Sequence, residues 1–62
     1  MKIQFSTEGI AFKGMGDKTM DDIHKRQEVA RILKRIATFV ESGNDNGDVI
    51  DSGGNTIGSW EL

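Results

Sequence analysis

Residues 19–43 read TMDDIHKRQEVARILKRIATFVESG, and this stretch decides the fold. It holds no proline, and no glycine before Gly43. Ile23, Val29, Ala30, Ile32, Leu33, Ile36, Ala37, Phe39 and Val40 recur at helical spacing rather than at the two-residue period of a strand. One long amphipathic helix over residues 19–42 is predicted. Thr19 is its expected N-cap, with Asp21 and Asp22 in a first turn where the positive end of the helix dipole favours them. Gly43, following Ser42, can take the left-handed conformation that ends a helix.

At about 100° per residue, Val29, Leu33, Ile36 and Val40 share one line. Ile32 and Phe39 flank it on one side, Ala30 and Ala37 on the other. This stripe is expected to carry the core. It spans close to half the circumference, so a small sheet would cover its middle but not both edges. The two alanines would let another backbone approach closely. Extended backwards, the same line meets Arg26 and Asp22, an i,i+4 pair worth roughly 0.2–0.5 kcal/mol. The first two turns are therefore expected to project past the core or to pack on something polar.

Both flanks of the helix read as short strands. Ile3 and Phe5 alternate with Lys2 and Gln4, and Ile10 and Phe12 alternate on the opposite parity. A two-residue turn at Glu8-Gly9 would gather Ile3, Phe5 and Phe12 on one face of a hairpin over 2–14; one strand bulged at Gly9 is the alternative. After the turn-rich Asn44–Asp48 loop, a second hairpin is expected over 47–61. Its register is open: Ile50 opposite Ile57 with a Gly53-Gly54 turn, or Val49 opposite Ile57 with a three-residue loop. Trp60 and Leu62 fall on the parity opposite Ile57, so this hairpin is expected to be apolar on both sides. The whole gives one α+β domain over 1–62, a long central helix packed on a small antiparallel sheet in the order ββαββ.

Sixty-two residues leave room for a thin core only, since such a chain buries about 60% of its unfolded surface. Cysteine is absent, which removes disulfides and thiolate metal sites. Self-association, as a homodimer along the exposed part of the helix (Val29, Ala30, Leu33, Ala37) or by sheet edges, is the expected support. The opening Met1-Lys2-Ile3-Gln4-Phe5 has no signal-peptide pattern, and no apolar run spans a bilayer. A cytoplasmic protein encoded by a complete small reading frame, with no membrane partner, is expected.

No motif carries catalytic chemistry. Aligning Gly47 with the glycine of a calcium-binding EF-hand loop puts neutral Ser42, Asn44 and Asn46 in the early ligand positions and Gly53 where a glutamate is required. His24, the only histidine, has no ligand-spaced companions. No nucleophile elbow surrounds any serine, and Gly14-Met15-Gly16 is not a phosphate loop. No enzyme activity, cofactor or metal is expected.

Charge is more informative. Five of the eight Lys and Arg lie between Lys25 and Arg35, and Arg31, Lys34 and Arg35 group on the helical wheel opposite the apolar face. This is either a solvated face or a docking surface for an acidic protein groove or a nucleic-acid backbone. Trp60 either caps the core or anchors an interface. Asp22, Arg26, Arg31, Lys34, Arg35 and Trp60 are the candidate protein-binding residues. The expected function is a small non-enzymatic protein-binding module acting as a stoichiometric regulator or inhibitor. A nucleic-acid-binding regulator and a self-associating structural subunit are the alternatives. In size and composition the chain resembles small accessory proteins of bacteriophages and prophages, including inhibitors of host defence systems. That resemblance rests on no motif.

Overall fold

The structure, a computed structural model, describes residues 1–9 and 18–62, the side chains of 18–21 excepted. Its elements are β1 (Lys2–Phe5), α1 (Lys18–Glu41), β2 (Asn46–Ile50) and β3 (Thr56–Glu61). The three strands form one antiparallel sheet in the order β1-β3-β2, and α1 lies on one of its faces. The class is α+β. Among the described residues the order is βαββ rather than ββαββ. The second strand of the expected first hairpin, at 10–14, lies outside them, as do its pairings with β1. The partner observed for β1 is β3, from Lys2↔Glu61 to Phe5↔Gly58.

Helix α1 begins one residue ahead of the expected cap at Thr19, a difference within the usual spread of helix boundaries. Its end follows the sequence closely. Gly43 has φ 98°, Asn44 N–H donates to Phe39 C=O at 3.0 Å, and Gly43 N–H donates to Val40 C=O at 3.1 Å. These are the two bonds of a Schellman motif, which satisfies carbonyls that the helix end would otherwise orphan.

The core consists of Ile32, Ile36, Val49 and Trp60, with Ile3, Phe5, Val29, Phe39, Val40 and Ile57 packed against it. The helix is rotated relative to the stripe read from the sequence. Its buried line runs through Glu28, Ile32 and Ile36, while Leu33 is 44% exposed. The rotation follows from Phe39 and Ile32: these large groups turn toward the sheet, and Glu28 enters with them because it finds polar partners there.

Neither expected register of the second hairpin holds. Val49 pairs with Gly58 but Ile50 pairs with Thr56, so one step on β2 spans two on β3 and Ile57 is the extra residue of a β-bulge. The bulge changes the face on which Ile57 lies. Ile57 and Trp60, of opposite parity in a flat strand, both pack on the core. Apart from Ile50, exposed at the end of β2, the apolar side chains of the sheet lie on its helix side. Its outer side carries Lys2, Gln4, Asn46, Asp48, Ser59 and Glu61, all exposed.

Candidate protein-binding groove

Two polar and apolar constellations lie where α1 meets β2. The first is a clamp at the end of β2. Glu28 is only 6% exposed, and its carboxylate accepts from Arg31 Nε one helical turn on and from Ser52 in the β2–β3 loop. Arg31 Nη2 also donates to Ile50 C=O at 3.2 Å. Asp51, 7% exposed, organises the loop itself. Its Oδ1 accepts from Gly53 N–H and Asn55 N–H, both at 2.9 Å, and its Oδ2 accepts from Asn55 Nδ2. Gly54, at φ 84°, completes the turn.

Both carboxyl groups are held below their ordinary values. For Glu28, burial pushes the pKa up, and the hydrogen bonds from Ser52 and Arg31 together with the Arg31 charge outweigh it. For Asp51, the Asn55 backbone bond is the main cause; burial opposes it, and the Asn55 side chain, Gly53 N–H and Arg31 act in the same direction as the main bond. Arg31 and Glu28 tie the helix to Ile50 and Ser52, and Asp51 holds the loop in shape from within. Sequence reasoning missed it because a glutamate at helix position 28 and an aspartate before Ser-Gly-Gly look like solvated residues.

The second constellation is a groove of about 230 Å³ between α1 and β2. Ile32, Ile36, Val49 and Trp60 form its apolar part, and Arg35 lies at its lip with its guanidinium 5.3 Å from the centre of the Phe39 ring. Trp60 is 2% exposed, and its indole Nε1–H has no acceptor among the described residues. Gly47 makes room for the indole, since a Cβ there would stand 2.8 Å from Nε1.

The groove opens along a strand edge whose free groups follow from two bonds. Leu62 N–H donates to Asp45 C=O, continuing the β2–β3 register, and Ser6 N–H donates to Ile57 C=O, continuing the β1–β3 register. Antiparallel partners alternate between bonded and non-bonded pairs. Gly47 and Val49 therefore turn their backbone groups to β3, and Asn46 and Asp48 turn theirs to the outer edge of β2. Beyond them the edge is closed by Arg31 on Ile50 C=O.

The candidate residues read from the sequence are thus dispersed. Asp22 and Arg26 pair at 3.0 Å on the exposed projecting half of the helix, remote from the groove lining. Arg31 belongs to the clamp, Lys34 is exposed, Arg35 is at the groove lip, and Trp60 is in the core with its indole on the groove. Of the three cations on the basic back of the helix, Arg31 is bound to Glu28 and Ile50, while Lys34 and Arg35 are exposed. Among the described residues no three His, Asp or Glu side chains gather as a metal site would require, and no helix is long and apolar enough to cross a membrane.

No protein-family model matches this chain, and no match was found among curated proteins or solved structures.

Proposed function

We propose that the chain is a non-enzymatic protein-binding module, a stoichiometric regulator or inhibitor of the accessory type that its size and composition resemble. It takes an extended segment of a partner as an added strand on β2. The observation that carries this is the outward-facing edge at Asn46 and Asp48 beside an apolar groove. Main-chain bonds to a free strand edge give affinity, and alternate side chains entering a flanking pocket give selectivity. At about 230 Å³ the groove is smaller than the ~300–1,000 Å³ typical of small-molecule sites, and it suits one or two side chains. Arg35 favours an acidic residue beside the apolar anchor. A nucleic-acid role draws less support, because Arg31 is turned to Glu28 and Ile50.

The test is affinity capture with the wild-type chain and with Asp48→Pro, followed by titration of the purified partner. Proline at 48 removes an N–H that faces outward, so an edge strand tolerates it. One-to-one binding that weakens at least tenfold in Asp48→Pro, and also in Arg35→Glu, is the expected result. Equal affinity in all three chains would exclude the groove.

A further inference from the structure

We infer that the face of α1 turned away from the sheet is a self-association surface, and that its occupant is a second copy of this chain lying antiparallel. Ile23, Arg26, Ala30, Leu33, Ala37 and Val40 recur at alternating spacings of three and four, the a/d pattern of a coiled-coil seam. The seam lies roughly 135° around the helix from the line through Glu28, Ile32 and Ile36, so the sheet does not occupy it. Ile23 is 41% and Leu33 44% exposed, Ala30 and Ala37 are exposed, and only Val40 is shared with the core. A shallow depression lined by Asp22, Arg26, Val29, Ala30 and Leu33 runs along the same face.

Charge fixes the direction of the second helix. A two-fold axis between Leu33 and Lys34 sets Ala30 against the partner's Ala37 and Arg26 against the partner's Glu41. Small residues at the crossing let the backbones approach, and each end of the seam gains an Arg–Glu pair. Arg26 is 79% exposed and, among the described residues, pairs with Asp22 alone, and Glu41 has no ion-pair partner there. A parallel arrangement would instead stack Arg26 on the partner's Arg26, a like-charge layer. This surface is separate from the groove, so it stands whether or not the groove binds a peptide.

Sedimentation equilibrium across a concentration series should show a monomer–dimer equilibrium in the micromolar range, and Leu33→Asp should abolish it without loss of helical circular dichroism. Arg26→Glu and Glu41→Arg should each weaken the dimer at least tenfold, and the double exchange should restore it. The absence of native cysteine makes cross-linking unambiguous. An equal mixture of Ala30→Cys and Ala37→Cys chains should give the mixed disulfide well above twice either symmetric one, the ratio that random pairing produces. A chain that stays monomeric at about 1 mM, a mixed disulfide no more abundant than random pairing gives, or a charge exchange that fails to restore association would each overturn the proposal.

Discussion

Arg31 donates to the carbonyl oxygen of Ile50 at 3.2 Å, joining the middle of the helix to the end of β2 across nineteen positions of sequence. The same guanidinium holds the buried carboxylate of Glu28. Truncating it would leave that carboxylate with Ser52 alone, and an undersatisfied buried polar group costs about 1–3 kcal/mol. Arg31→Ala is therefore expected to lower stability by about 1–3 kcal/mol in urea unfolding. Lys34→Ala, on the exposed surface, should change it by less than about 0.5 kcal/mol.

Acid should loosen the clamp. Glu28 and Asp51 both titrate below their ordinary values of 4.5 and 3.8 when folded. Their contribution is complete above those values, where folded and unfolded chains are both ionised, and is lost as pH falls through the depressed folded values. The urea midpoint of the native chain should fall steeply below pH 4.5. In a Glu28→Gln, Asp51→Asn chain the fall should be shallower.

Gly58 sits between two strands, opposite Phe5 on β1 and Val49 on β2. A Cβ at this position would stand 2.0 Å from Gln4 O and 2.5 Å from the Phe5 Cα, both backbone atoms that cannot swing aside. Gly58→Ala should cost more than the ~1–3 kcal/mol of ordinary overpacking. Hydrogen exchange should show β1 lost first, with Ser6 N–H deprotected before the amides of the β2–β3 hairpin.

Gly47 meets a softer neighbour. A Cβ there would press on the Trp60 indole, 2.8 Å from Nε1 and 3.3 Å from Cε2. The ring must shift toward the groove, so Gly47→Ala is expected to cost about 1–3 kcal/mol. Trp60, the only tryptophan, should report the change as a red shift of its emission from the blue-shifted position of a buried indole.

Local features of the fold were legible, and features set by two elements together were not. The helix and its stop at Gly43 follow from spacing and from glycine's access to positive φ, and both hairpin strands around Gly53-Gly54 were marked by their apolar pairs. The register failed because parity assumes a regular strand, and no local signal announces that Ile57 is a bulge residue. The helix rotation failed for a related reason. Counting apolar residues puts Leu33 on the core line as well as among the candidate dimer contacts and takes no account of Glu28, whose burial Ser52 and Arg31 make tolerable. The groove was invisible because its walls come from α1 and β2, brought together by that rotation.

The strand order has a kinetic consequence. β3 is the central strand of the sheet, yet it comes last of the three in sequence, and β1 and β2 are neighbours only through it. Until residues 56–61 are available, neither earlier strand has the partner it pairs with among the described residues, and α1 lacks Trp60 and Ile57 to rest on. The pairing of Lys2 with Glu61 closes nearly the whole chain into one loop, so its entropy is spent before its contacts return anything. Folding should therefore begin in the β2–β3 hairpin against the C-terminal half of α1, with β1 docking afterwards. Shortening the chain by its last strand would take from β1 and β2 the one neighbour they share among the described residues, and not merely trim an edge.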